Sequence, residues 1–453
     1  MFDKSDAMWY NYRVKFKEEG KMKAVNKKKN GMFWLALTVF SLMGQIAWVV
    51  ENMYLNVFIY KTFNASAADI SYMVAASAVT ATLTTVLMGA LSDRIGKRRL
   101  FICGGYILWG ISIFSFVLLR TDIIGKFIPA TMSAMSVGVS LTIILDCVMT
   151  FFGSTANDAA FNAWMTDSTN ADNRGKAEGI NAMMPLVSVL VVFGGFMFFD
   201  LEDPTSWTLI FTIIGVLTLA VGVLGLIVIR EPRIAPSDTG YVEGIVYGFR
   251  PSTVKKNALL YITLAAFIIF NTSIQIFMPY LIIYYEVSLG MTNYVIIMAP
   301  AIIIASAVTA LWGRVYDKKG FNFSGALALV MLIAGYVVLY FTRTMIPVFI
   351  GSLLMMSGYL SGMAAFGAMI RDNTPEGKAG RLQGVRIFAQ VLVPGVVGPM
   401  IGKAVLDNAE KIVNNDGTES FVPNQNIFLA ALIAVAVLAV FLLIFKKKKT
   451  SNE

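Results

Sequence analysis

The sequence predicts an all-α membrane protein in which twelve transmembrane helices form two pseudo-symmetric six-helix bundles. Three observations carry that expectation. Of 453 residues, 57% are hydrophobic and only 14% charged, with a mean hydropathy of +0.68, whereas soluble chains run nearer half apolar and a quarter charged. Apolar runs of about 20 residues, the length a bilayer-spanning helix needs, recur along the chain. Lys and Arg are concentrated in alternate loops. A soluble core cannot absorb this composition, because it would still need a polar shell.

Taken in order, the predicted spans are 33–58, 69–91, 99–119, 140–166, 177–199, 207–229, 258–285, 292–313, 323–342, 345–370, 382–402 and 425–445. The stretch 121–139 fits either a surface-lying helix or an extension of the fourth span. The first 31 residues are polar and Lys-rich without an apolar run, so no cleavable signal peptide is expected. With the N-terminus placed in the cytoplasm, 30 of the 37 Lys and Arg fall on that side. The other side holds Lys61, Arg120, Lys126, Arg343, Lys403 and Lys411, and Arg386 lies within a span. This asymmetry follows the positive-inside rule and predicts a multi-pass protein of the cytoplasmic membrane with both termini cytoplasmic. The net charge of +9 is therefore read as meeting anionic lipid heads, not nucleic acid.

Other classes fall away. The 37 Gly have no triplet period, and Cys103 and Cys147, the two cysteines, sit in apolar runs as expected buried thiols. The absence of His removes the commonest metal ligand and the usual group titrating near neutrality. No Walker loop or nucleophile–base set is present. No cofactor or resident metal is expected, and the 25 Met read as apolar filler.

The expected organisation is a basic N-terminal segment 1–31, a six-helix bundle 32–230, a linker 231–256 rich in Pro and charge, a second bundle 257–445 and a basic tail 446–453. The halves match locally. Gly89-x-x-x-Asp93-x-x-Gly96 recurs 224 positions later as Gly313-x-x-x-Asp317-x-x-Gly320. Asp167 with Gly175-Lys176-x-x-Gly179 recurs 205 positions later as Asp372 with Gly380-Arg381-x-x-Gly384. A parallel repeat implies halves that rock about a midplane site, giving alternating access.

The run Gly89-Ala-Leu-Ser-Asp93-Arg94-Ile-Gly96-Lys97-Arg98-Arg99 resembles the signature loop of the major facilitator superfamily. Physically, Gly89 would allow close helix approach and Gly96 a tight reversal. Asp93 would cap a helix N-terminus or pair with an Arg across the loop. Gly89, Asp93, Arg94, Gly96, Arg98, Asp167, Asp317 and Asp372 are the expected cytoplasmic gate; the alternative is that they only anchor topology.

Charges inside spans are costly and tend to be functional. Asp146 is expected near a helix end in contact with water, and Arg386 to snorkel. Glu51 and Asp158 lie deeper. Ser154, Asp158 and Asn162 fall at i, i+4 and i+8 with Asn157 and Thr155 beside them, an oxygen-rich face suited to a coupling cation, H⁺ or Na⁺, or else to helix packing. In the first span Gln45, Trp48, Glu51 and Asn52 share a face. Amides, a carboxylate and an indole suit a sugar-like ligand. The 224-residue offset brings Gln275 opposite Glu51, with Asn271 one turn earlier, so both halves would line one cavity.

Asn52-Met53-Tyr54-Leu55 also resembles a Tyr-Met-Tyr-Leu pattern of the glycoside–pentoside–hexuronide cation symporters, the group of the melibiose permeases. That resemblance puts Gln45 where the group has a sugar-binding Asp, and Asp158 where it has a fourth-span cation-site acid. The sequence departs from the group in the second span, which has no carboxylate between Tyr72 and Met88 and offers Thr80, Thr82, Thr84 and Thr85. The group's eleventh-span Lys falls around Pro394-Gly395.

Gly194-Gly195, Pro279, Pro394-Gly395 and Gly398-Pro399 are expected either to kink spans or to pack them closely. The sequence thus predicts a monomeric secondary transporter that moves a small polar solute, a sugar or glycoside, with H⁺ through Asp158 and Glu51. Na⁺ at Asp158 is the alternative coupling ion. Export of amphipathic compounds, lipid movement, or sensing without transport are the rival functions.

Overall fold

The computed structural model describes residues 31–169, 173–231, 246–375, 379–413 and 418–450, with the backbone alone at 379–381, 383 and 445–450. The N-terminal segment, most of the linker and the end of the tail lie outside the described residues. Eleven helices among the described residues are long and apolar enough to cross a membrane. They are α1 (Gly31–Phe63), α2 (Ala67–Ile95), α3 (Arg98–Leu118), α4 (Ala134–Asp167), α5 (Arg174–Phe196), α6 (Pro204–Val228), α7 (Ala258–Ser288), the long helix Val295–Phe341, α10 (Met345–Asn373), α11 (Gly384–Leu406) and α12 (Asn426–Ile444).

The long helix hides the twelfth crossing. Its 47 residues would run about 70 Å as one rod, more than twice the hydrocarbon thickness. It breaks at Gly320, where φ is 70° and ψ −178°, into α8 before the glycine and α9 after it. In the other half, Gly96 ends α2 at φ 68°. Only glycine enters this region without steric cost, so Gly96 supplies the tight reversal expected of it, and its repeat Gly320 breaks the long helix at the matching place. Gly89 does not behave as expected: a Cβ there would meet nothing closer than 3.9 Å, so no close approach depends on it.

Small residues draw the helices together elsewhere. A Cβ on Gly110 of α3 would stand 2.5 Å from the Leu219 backbone nitrogen, and one on Gly215 of α6 2.8 Å from that of Phe114. A Cβ on Gly358 of α10 would likewise stand 2.5 Å from the Leu332 nitrogen in α9. Backbone cannot rotate away as a side chain can. Gly110→Ala and Gly215→Ala are therefore each expected to cost about 1–3 kcal/mol, read as a lowered melting temperature in detergent.

Several boundaries differ from expectation. α1 runs on to Phe63 and stops at Asn64, a left-handed C-cap with φ 50°. Its polar last turns are sheltered by protein: Asn56 is fully buried and Lys61 half-buried. The ambiguous stretch 121–139 divides, with a one-turn helix at Thr121–Ile124 and residues 134–139 joining α4. Gly194-Gly195 does not interrupt α5, which runs to Phe196. Pro279 does break α7, with a 3₁₀ turn at Met278–Tyr280 and a π-turn at Tyr284–Ser288. Gly395, Gly398 and Gly402 of α11 act by packing, since a Cβ on each would strike Ala78 or the α7 residues Gln275 and Ile276. Cys103 is buried as expected, but Cys147 is only half-buried. A short antiparallel hairpin, β1 (Lys411–Val413) with β2 (Glu419–Phe421), joins α11 to α12.

Candidate functional site

Three helices loosen where the central side chains sit. α1 has a π-turn at Val50–Tyr54, α4 one at Ser154–Phe161, and the α11 segment one at Phe388–Leu392. Such wide turns frequently mark functional sites, and here they carry Glu51, Asp158 and Gln390. Between the two six-helix sets lies a cavity of about 470 Å³ lined by all six residues expected to bind solute: Gln45, Trp48, Glu51, Asn52, Asn271 and Gln275. Asn56 and Gln390 add two more amides to its wall. The 224-residue offset from Glu51 to Gln275 therefore does bring both halves to one hollow. The Trp48 ring packs on Trp109 with centroids 5.0 Å apart.

Asp146 is the main correction. Its predicted helix start was 140, but α4 begins at Ala134, so Asp146 lies more than three turns inside. It is 2% exposed, lines the cavity, and its Oδ1 has no hydrogen-bond partner. Beside it, Ser77 Oγ and Glu51 Oε1 are 2.7 Å apart, Ser77 Oγ and Thr150 Oγ1 2.8 Å, and Thr150 Oγ1 and Glu51 Oε1 2.9 Å. Glu51 is 7% exposed and its Oε2 is unpartnered. Three carboxyls, Glu51, Asp146 and Asp158, thus line one cavity whose wall includes no Lys or Arg.

The expected cation group separates. Ser154 Oγ donates to Asp158 Oδ2 at 3.1 Å, and Asn157 Nδ2 to Asp158 Oδ1 at 3.2 Å. Thr155 instead bonds the Phe151 carbonyl at 2.7 Å, and Asn162 is exposed and bonds the Asp158 carbonyl at 3.1 Å. Neither reaches the carboxyl. The second-span threonines Thr80, Thr82, Thr84 and Thr85 do not line the cavity; α2 contributes Ser77. Ser77 and Thr150 were missed from sequence and Asp146 was read as water-exposed, although Asp146, Thr150, Ser154 and Asp158 form one i+4 row whose outward extension would have joined Asp146 and Thr150 to the site.

At the end of the bundle that bears the chain termini, Arg98 holds two loops. Its guanidinium meets Asp93 at 2.5 Å, Asp167 at 3.0 Å and the Ser92 hydroxyl at 2.8 Å. Asp93 therefore pairs across its loop and does not cap a helix. Arg94 and Asp317 are exposed, and Asp372 accepts from Tyr316 at 2.6 Å. Each of these contacts stays within one half. Charged hydrogen bonds contribute roughly 1.5–3 kcal/mol apiece, so Arg98→Ala is expected to lower the melting temperature markedly. Arg98→Lys, which lacks the fork, should recover only part of it.

The opposite end is sealed between halves. Lys61 of α1 contacts Glu286 of α7 at 2.8 Å and Glu202 at 2.9 Å. Tyr294 donates to Tyr54 at 2.8 Å, Tyr60 to the Phe421 carbonyl at 2.8 Å, and Tyr280 to the Ala67 carbonyl at 3.1 Å.

A family model described as the Major Facilitator Superfamily matches residues 33–399. No curated protein matches the sequence. Solved structures with a similar fold include a D-xylose–proton symporter at TM-score 0.70 and 15% identity, covering 90% of this chain and 97% of that one. The nucleoside transporter NupG matches at TM-score 0.64 and 13% identity, covering 91% and 98%. A bacterial homolog of the human lysosomal transporter Spinster, inward-facing and occupied, matches at TM-score 0.68 and 15% identity, covering 92% and 97%.

Proposed function

The chain belongs to the Major Facilitator Superfamily, a superfamily of membrane transporters and not of enzymes, and from that premise we propose that it moves a small polar solute, a sugar or glycoside, by alternating access coupled to proton symport. The observation that carries this reading is the cavity of about 470 Å³ between the halves. That volume falls within the range of small-molecule sites. Amides come to it from both halves, through Gln45, Asn52, Asn271 and Gln275, and Trp48 adds a ring; these groups suit hydroxyls and an apolar sugar face.

Proton coupling through Asp158 together with Glu51 fits a cavity that is acidic and has no basic side chain in its wall. Such charges would otherwise stay uncompensated in a low dielectric. Na⁺ is the second candidate ion. The positive-inside asymmetry assigns the terminus-bearing end to the cytoplasm, so this conformation is inward-facing, with Lys61, Glu286 and Tyr294 closing the outside. The protein acts as a monomer in the cytoplasmic membrane.

The test is a solute panel read by thermal stabilisation of purified protein, followed by counterflow in vesicles. Sugars or glycosides should stabilise the protein and exchange. Stabilisation by amphipathic or lipid-like compounds alone would reject the reading, and binding without counterflow would make the protein a sensor.

A further inference from the structure

Three buried acceptor oxygens in the cavity wall stand without a donor. They are Glu51 Oε2, Asn56 Oδ1 and Asp146 Oδ1, on residues 7%, 0% and 2% exposed, and all three residues line the same hollow. A buried acceptor left unpaired bears the full cost of its lost hydration. Each of these oxygens therefore calls for a donor from whatever occupies the cavity.

The polar neighbours have their donors committed elsewhere. The Ser77 and Thr150 hydroxyls both donate to the other carboxyl oxygen, Glu51 Oε1, at 2.7 and 2.9 Å. The asparagines of both halves commit an N–H to their own helices. Asn52 Nδ2 donates to the Trp48 carbonyl at 2.8 Å and Asn56 Nδ2 to the Asn52 carbonyl at 2.8 Å. Across the cavity, Asn271 Nδ2 donates to the Phe267 carbonyl at 2.9 Å. With the nitrogen held against the helix, the oxygen is the end each amide offers to a solute. Glu51, Asp146 and Asp158 add carboxyls, and no Lys or Arg stands among the described residues of the wall. An ionised carboxylate only accepts. The wall is thus rich in acceptors and negative in sign.

From this surplus of acceptors we propose that the cavity selects an uncharged polyhydroxylated solute, whose hydroxyls donate to Glu51, Asn56 and Asp146, and that it excludes sugar acids, in which the C6 hydroxymethyl group is a carboxylate. The inference rests on the sugar reading above and narrows it. A sugar hydroxyl has a proton for each free oxygen and can still accept from the glutamines of the wall. A sugar carboxylate has no proton to give, and it sets like charge against like charge, which is how a site suppresses a wrong ligand.

The test compares glucose, galactose and mannose, each with its own C6 uronate, on the purified full chain near neutral pH, where a sugar carboxyl is ionised. Dissociation constants come from thermal stabilisation. Each uronate should bind roughly 100-fold more weakly than its neutral parent. In Glu51→Gln and in Asp146→Asn, which remove one charge and put an N–H where an acceptor stood, that ratio should shrink by roughly tenfold. A merely structural role for either carboxyl would weaken both members of a pair alike and leave the ratio unchanged. Uronates that bind as tightly as their parents would overturn this inference and leave the sugar reading standing. A ratio unmoved in both variants would overturn the assignment to Glu51 and Asp146. If neither series stabilised the protein, the sugar reading itself would fail and this inference with it.

Discussion

Lys61→Met is expected to open the sealed end of the protein. The Lys61 side chain is 8% exposed and bridges two acids, Glu286 at 11% exposure and Glu202 at 73%. The Glu286 partner comes from the other half, so this pair exists only while that end is closed. Removing the cation leaves Glu286 buried and uncompensated. Breaking a buried pair in this way costs about 3–5 kcal/mol, which moves a two-state equilibrium by two or more orders of magnitude. In the open state both groups would be hydrated and the cost disappears. Glu202→Gln should do little, because exposed pairs contribute roughly 0–1 kcal/mol, and Glu286→Gln should fall between the two. Spin labels at the exposed Asp122 and Asn293 should move apart in Lys61→Met, while labels at Lys97 and Lys318 approach. Distances unchanged in Lys61→Met would show that the tyrosine contacts and the hairpin hold that end without it.

This bridge also marks where sequence reading stops. Lys61, Glu202 and Glu286 lie at three distant points of the chain, and no periodicity connects them. What was legible came from strong local physics or from the repeat. The apolar runs gave the helices. The 224-residue offset joined Gly96 to Gly320 and Glu51 to Gln275, and the structure sets the first pair at matching places and the second in one cavity. Asp146 was misplaced because hydropathy alone started its span at 140. Residues 134–139 follow the polar turn Thr131-Met-Ser133 and carry Ser136 and Gly138, which made them look like loop, yet Ser133 accepts the Ser136 amide and starts the helix six residues sooner. Ser77 was invisible among the alanines and threonines of α2, since only the rotation of that helix distinguishes it from Thr80 or Thr84. Gly89 shows the converse error: a glycine in a recognisable motif suggested a close approach that the packing does not make.

Asp158→Asn is expected to abolish accumulation while sparing exchange. Asp158 stands twelve residues along α4 from Asp146, about 18 Å nearer the terminus-bearing end. Ser154 and Asn157 bond both of its carboxyl oxygens, and Asn fits the same place with little disturbance, so the solute-lining amides should stay where they are. What Asn cannot do is change charge. A membrane potential of 100 mV is worth about 2.3 kcal/mol per charge, and each 1.36 kcal/mol is a factor of ten. One proton per solute would therefore sustain roughly 50-fold accumulation. Asp158→Asn vesicles should equilibrate near 1-fold under the same potential and pH gradient, yet retain counterflow, which needs no net proton movement. Asp146→Asn removes a second titratable carboxyl from the cavity wall and leaves Asp158 intact, so it should change the pH at which accumulation is half-maximal before it changes the plateau. Unchanged accumulation in Asp158→Asn would remove that residue from coupling. If Na⁺ restored accumulation in the wild type at equal pH on both sides, the same carboxyl would be carrying Na⁺ in place of a proton.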